Sequence, residues 1–214
     1  MAQRTPGAGV MTAKRAVKTV FRLLMLPIYG AFCLLTLFGN TDSVFQGFSQ
    51  ALSLIPGRIG TYCRAAFYSL ACPDTSDEIS IGFLTLLSHR DTTIERGVYI
   101  GPQGNIGMCT IKEGTLLGSG VHILSGKNQH YFDDPETPIQ QQGGRFEKVV
   151  IGADCWLGNQ SLVMADLPKR TIVAAGAIVT HSPDATSILA GNPAKTIQRR
   201  ANPERQPSES GVSQ

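Results

Sequence analysis

The chain has 214 residues, with 19 Lys and Arg against 16 Asp and Glu, a formal charge of +3. That length suits one domain with appendages. Hydrophobic residues make up 42%, enough to bury a core, so wholesale disorder is excluded. The 23 glycines follow no Gly-X-Y period, which excludes collagen. Five cysteines, sparse and odd in number, exclude a disulfide scaffold.

The charge is unevenly placed. Residues 1–41 contain Arg4, Lys14, Arg15, Lys18 and Arg22 and no acid, while the rest of the chain holds 14 basic and 16 acidic residues. A basic leader on a slightly acidic body points to an anionic membrane surface, not to nucleic acid. Residues 23–38 are uncharged, but the run falls short of the roughly 20 residues a span needs. Pro27 and Gly30 argue against a straight helix. The segment therefore reads as a monotopic or re-entrant helix, with a buried core helix as the alternative. A single span would send the main domain across the membrane. The expected location is the cytoplasmic face, where five free thiols are at home.

Residues 42–78 read as an amphipathic helical cap. Phe45, Phe48, Leu52 and Ile55 follow helical spacing. Pro56-Gly57 breaks the run, and Ile59, Tyr62, Ala66 and Leu70 resume it.

From residue 79 the texture changes. Aliphatic residues recur every six positions at Ile94, Ile100 and Ile106, then at Ile111, Leu117 and Ile123. Ile151, Leu157 and Val163 resume the period, and Val173 and Val179 close it. A period of six fits neither a helix nor simple strand alternation. It fits a three-sided solenoid, in which each step is one short strand plus a corner and the aliphatic residue points inward. Residues 79–198 then make about four to five coils. The ten residues from Val163 to Val173 imply one tightened corner near 165–170. Residues 124–150 carry no period, so a loop is extruded there, and loops held on rigid scaffolds are where chemistry tends to sit.

Three blocks carry a resemblance. They are Ser125-Gly126 with His130, the run from Ile151 through Trp156 to Gly158, and Ala174 to Thr180 followed by Ala190-Gly191-Asn192-Pro193-Ala194-Lys195. In these the chain resembles the hexapeptide-repeat O-acetyltransferases, near the polysaccharide-biosynthesis members with a membrane-associated N-terminus. The resemblance implies a mainly β fold, a left-handed parallel β-helix preceded by N-terminal helices. It also implies a homotrimer with sites between subunits, and acetyl-CoA as donor.

It further implies site residues. Acyl transfer to a hydroxyl needs a base, and an imidazole suits that role near neutral pH. His130, on the extruded loop, is the expected catalytic base. His122 and Asp133 are candidates for the acceptor side, and Asp133 or Asp134 could orient His130. Trp156, Gly158, Asn159, Ala175, Gly176 and Thr180 are candidates to hold the thioester arm of CoA. Lys195, Arg199 and Arg200 are candidates for its phosphates. The departure from the pattern is Lys127-Asn128-Gln129, which separates the Ser-Gly pair from His130. His89 has no supporting context, and His181 stands beside Thr180 near the expected CoA path. No metal is expected, since no two His have ligand spacing and no Cys pair accompanies them. Residues 199–214 read as a disordered tail.

The expected activity is transfer of an acetyl group from acetyl-CoA to a sugar hydroxyl in surface-polysaccharide or lipid-linked glycan biosynthesis. A small-molecule acceptor, serine-like or xenobiotic, and a non-catalytic scaffold are the alternatives.

Overall fold

The computed structural model describes residues 8–199, with side chains from Lys14 onward. The leader before residue 8, Arg200 and the tail that follows lie outside the described residues.

Three helices come first: α1 (Ala8–Thr36), α2 (Thr41–Ser53) and α3 (Gly57–Ala71). The α1 helix runs unbroken through Pro27, contrary to the interruption expected from Pro27 and Gly30. The proline ring sits on the exposed side, and Met25 and Phe32 are buried on either side of it. That packing outweighs one missing N–H. Phe32 meets the rings of Phe45, Phe48 and Phe67 edge-on, and Phe21 stacks on Tyr62 at 5.1 Å. The outer face of α1 is uncovered: Leu23, Leu24, Leu26, Leu34 and Leu35 are exposed. By length and composition, Lys14–Thr36 is long and apolar enough to cross a membrane.

Asn40 starts α2, its Oδ1 accepting from the Ser43 N–H at 3.0 Å, which satisfies one orphan donor of the first turn. The face that α3 buries overlaps the expected one only in part. Ala66 is buried as expected, with Cys63, Arg64, Phe67, Tyr68 and Ala71 beside it, while Ile59 is exposed and Tyr62 and Leu70 are half-buried. A count of apolar residues could not see that Arg64 turns inward.

From Ser80 the chain winds in coils of three short strands each. The first coil is β1 (Ser80–Ile81), β2 (Leu86–Leu87) and β3 (Thr93–Ile94). The second is β4 (Tyr99–Ile100), β5 (Asn105–Ile106) and β6 (Cys109–Ile111), and the third is β7 (Leu116–Leu117), β8 (His122–Ile123) and β9 (Val149–Ile151). The fourth has β10 (Trp156–Leu157), β11 (Leu162–Val163) and a single bridge from Leu167 to Ile151. The fifth has β12 (Ile172–Val173) and β13 (Ile178–Val179), after which β14 (Ser187–Gly191) joins the first wall and β15 (Ala194–Arg199) folds back antiparallel on it. Every other pairing is parallel.

Three walls result. Strands β1, β4, β7, β10, β12 and β14 stack in the first, β2, β5, β8, β11 and β13 in the second, and β3, β6 and β9 in the third. The repeating aliphatics line one interior: Ile81, Ile94, Ile100, Ile106, Ile111, Leu117, Ile151, Leu157, Val163 and Val173 are all fully buried. The tightened corner is real, and Leu167 fills it, 2% exposed. Each first corner ends on a residue with positive φ, namely Leu84, Gln103, Gly120, Gln160 and Gly176. This column of like turns keeps the coils in register.

The helices close the open first coil. Arg64 is fully buried and donates to Ile81 O (3.0 Å), Leu52 O (3.0 Å) and Ile55 O (2.8 Å). One guanidinium thus satisfies the C-terminal carbonyls of α2 and a carbonyl of the first rung. Ser49 joins in, its hydroxyl accepting from the Leu87 N–H at 2.8 Å. Desolvation holds Arg64 below the usual guanidinium range, but carbonyl acceptors from three residues keep a cation there tolerable.

Candidate functional site

The extruded segment is an arm between β8 and β9, rooted in the third coil. Its two sides pair: Glu147 N–H donates to Ser125 O (2.9 Å), Arg145 N–H to Asn128 O (2.7 Å) and Tyr131 N–H to Gly143 O (3.0 Å). Gly126 makes the exit possible. Its φ is +78°, and a Cβ there would lie 2.9 Å from Glu147 Cβ. The tip is tied by Gln142, whose side-chain amide donates to Asp134 O and Thr137 O.

The arm folds back toward the earlier coils. The second coil takes only five residues from Ile106 to Ile111, which leaves a notch at its corner. Ser125 reaches into that notch and its hydroxyl accepts from the Met108 N–H at 2.8 Å. Lys148 pairs with Asp91 at 2.7 Å. His89, on the first coil, lies with Nδ1 2.9 Å from Ser88 Oγ and 3.5 Å from Ser125 Oγ, and its ring meets Phe146 of the arm. His89 therefore has a context that the sequence concealed. The signal is spatial, since 36 residues separate it from Ser125.

His130 stands on the outgoing side of the arm, exposed, and no side chain among the described residues hydrogen-bonds it. Asp134 does not orient it. That carboxylate accepts from the Glu136 N–H and the Thr137 hydroxyl, and the Thr137 bond holds its pKa below the ordinary 3.8. Asp133 is exposed beside it, and the two lie with Tyr131 and Thr137 around a shallow hollow.

The other expected site residues fall on three different parts of the coil. Gly158, Asn159, Ala175 and Gly176 form the corner between the first and second walls. A Cβ on Gly158 would lie 2.5 Å from Ala175 N, so adjacent coils touch backbone to backbone there. Asn159 Oδ1 accepts from the Ser119 N–H at 3.0 Å. That bond stitches the fourth coil to the third and fixes the amide's direction. His122 faces outward on the second wall, in register with Asn105 and Leu162.

Thr180 lies at the next corner, at the root of the arm. A cleft of about 350 Å³ there is lined by Gly126, Lys127, Glu147, Met164, Thr180 and His181, among others. Thr180 Oγ1 and His181 Nδ1 are 2.8 Å apart. Trp156 projects from the first wall, 53% exposed. It forms an outward ladder with Leu116, Ile172 and Ile188 in register. Lys195 and Arg199 are exposed on β15.

No cysteine offers a thiolate at this site. Burial pushes the Cys63, Cys72 and Cys109 thiols up, Cys109 to about 12, so these thiols stay protonated and inert. No three His, Cys, Asp or Glu side chains converge on one point among the described residues.

Comparison with known proteins places this architecture. The fold is shared with a maltose O-acetyltransferase from Clostridium difficile 630, with a TM-score of 0.62, 13% identity, 77% of this chain covered and 90% of that one. It is also shared with a hexapeptide-repeat acetyltransferase from Vibrio cholerae O1 biovar eltor, solved with acetyl coenzyme A (TM-score 0.53, 14% identity, 75% and 89% covered). In sequence, the chain is 30% identical over 118 residues to a probable macrolide acetyltransferase of Lysinibacillus sphaericus, covering 50% of this chain and 66% of that protein. It is 27% identical over 118 residues to a chloramphenicol acetyltransferase of Agrobacterium fabrum, covering 48% and 56%. The chain thus spans somewhat under two thirds of the length of these curated relatives. No family model matches.

Proposed function

We propose that this protein is an O-acetyltransferase that moves an acetyl group from acetyl-CoA to a sugar hydroxyl of a surface polysaccharide or lipid-linked glycan. The observation that carries the reading is the arm: a hairpin bearing a solvent-facing imidazole, His130, braced on a rigid coil of the acetyltransferase fold. The likeness to a fold neighbour solved with acetyl-CoA supports the donor, and the acetyltransferase names of the sequence relatives support the reaction.

In this reading the coil is a left-handed β-helix and the protein a homotrimer. The apolar ladder of Leu116, Trp156, Ile172 and Ile188 is a subunit seam, which moves Trp156 from the thioester to the interface. The donor arm lies along the crowded corner at Gly158 and Ala175, where small residues leave room for pantetheine. Lys195 and Arg199 receive its phosphates. His130 takes the proton of the acceptor hydroxyl, the oxygen attacks the thioester carbonyl, and the carbon–sulfur bond breaks. The CoA thiol leaves with the proton that His130 returns. The uncovered face of α1 rests on the cytoplasmic face of a membrane, which brings the enzyme to a lipid-linked acceptor.

A second reading keeps the chemistry and changes the acceptor to a xenobiotic small molecule. The names of the sequence relatives favour it.

The test is thiol release from acetyl-CoA by the purified full chain with maltose, glycan fragments and chloramphenicol as separate acceptors. Wild type is expected to turn over a glycan, and His130→Ala to lose about 10²–10⁴-fold in rate at unchanged affinity for acetyl-CoA. Equal turnover by the variant overturns the base assignment. Turnover confined to chloramphenicol selects the second reading.

A further inference from the structure

A second cleft, of about 550 Å³, lies where α1 and α3 meet the first two rungs of the first wall. Lys14 and Lys18 of α1 and Arg58 and Tyr62 of α3 line it, with Tyr99 of β4 opposite. The volume is that of a ligand site. Its charges are not all spent. Lys18 is paired with Glu78 at 3.9 Å, whereas Lys14 and Arg58 are exposed and have no ion-pair partner among the described residues. Asp77 also borders the cleft, so it is mixed in sign, with two unspent cations against one carboxylate.

Its place in the molecule is what makes it informative. The helix that supplies Lys14 and Lys18 goes on to expose Val20, Leu23, Leu24, Leu34 and Leu35 to solvent. A cationic cleft therefore opens near the N-terminal end of α1, on the inner stripe that Phe21, Met25 and Phe32 continue, with the exposed aliphatics on the adjoining and opposite faces of the helix. That order, cation first and hydrocarbon beyond, is the order of charge and chain in a lipid bearing a phosphate. The forked guanidinium of Arg58 and the ammonium of Lys14 suit phosphate oxygens. The hydroxyls of Tyr62 and Tyr99, with Asp77, can pair with hydroxyls of a headgroup.

We infer that this cleft is a specific site for the phosphate headgroup of an anionic lipid, with the acyl chains lying along the outer face of α1. The inference rests on the membrane reading of α1. It adds to that reading a defined binding site in place of diffuse attraction. The site would fix the rotation of the helical layer on the membrane and hence the direction in which the arm points.

Two double variants separate the site from diffuse attraction, each made in the full chain and each removing two positive charges. Lys14→Gln with Arg58→Gln empties the cleft. Arg15→Gln with Arg22→Gln removes two exposed cations of α1 outside it. Attraction of a basic segment to an anionic surface depends on cation number, so it weakens equally in both. Co-sedimentation is measured with phosphatidylcholine vesicles, with and without phosphatidylglycerol. The cleft variant is expected to lose at least about tenfold of the preference for phosphatidylglycerol, and the control variant to keep most of it. Equal loss in both overturns the site, although continued binding of both to plain phosphatidylcholine then leaves the membrane reading standing. Failure of wild type to sediment with any vesicle defeats the membrane reading, and the inference with it. Titration with short-chain phosphatidylglycerol and with glycerol phosphate identifies the source. Tighter binding of the lipid, lost in the cleft variant, supports the inference. Equal affinity for glycerol phosphate reassigns the cleft to a soluble phosphate compound and overturns it.

Discussion

The ring of Phe146 lies against the imidazole of His89, centroids 5.0 Å apart and planes tilted by 55°. Phe146 belongs to the returning side of the arm and His89 to the first coil, two coils before the arm's root. The contact therefore sets the angle at which the arm leaves the scaffold. Phe146→Ala is expected to cost roughly 0.5–1.5 kcal/mol in a chemical unfolding titration. Its larger effect falls on turnover, with kcat reduced and the affinity for acetyl-CoA held. An unchanged kcat would mean that the arm's angle is irrelevant to the chemistry.

Asp134 gives the tip of the arm a pH dependence. Its pKa is lowered in the fold by the Thr137 hydroxyl and the Glu136 N–H. A carboxylate with a depressed pKa stabilises the fold above its unfolded pKa and loses that contribution as pH falls through the folded value. Order at the tip should thus be intact near neutrality and decay on acidification below the ordinary value of 3.8. The protection factor of the Glu136 amide reports this, and in Asp134→Asn that factor should not change over the same acid range.

Arg64 ties the helical cap to the coil. Arg64→Ala removes the side-chain donor from the carbonyls of Ile55 and Ile81 and leaves Leu52 O with only the 3.3 Å bond from the Ile55 N–H, and a loss of about 2 kcal/mol or more is expected. Lysine should not rescue it, since one ammonium cannot reproduce the fork. A urea titration followed by circular dichroism separates these outcomes from a benign substitution.

The outer face of α1 is separable from its inner stripe. Leu23→Gln, Leu24→Gln, Leu34→Gln and Leu35→Gln change only exposed positions. The combined variant is expected to leave vesicles while keeping its unfolding midpoint. Deleting residues 1–40 is a cruder experiment, because it also uncovers the bed in which Phe32 packs against Phe45, Phe48 and Phe67.

Much of the coil was legible because its rule is local. One inward aliphatic per step is all that Ile100, Leu117, Ile151 and Leu157 require, and each of them lines the interior. Leu167 escaped because it follows Val163 by four residues, so a period of six counted forward passes over it, although it stands six residues before Val173. The burial of Arg64 was hidden for a different reason: a charged residue turns inward only where distant carbonyls wait for it. The same holds at the arm. Its position between two rungs could be read from the missing period. The pairing of Phe146 with His89 could not, since it depends on how far the hairpin folds back.

The arm is closed at its base by a single rung, Glu147 N–H to Ser125 O, and the coil continues its own ladder above and below that rung. The 21 residues between Ser125 and Glu147 thus hang from the prism like a tool on a fixed handle. Their sequence can drift, lengthen or be exchanged while the stacked aliphatics hold the same shape, so a lineage of such proteins can try new acceptors without having to solve folding again.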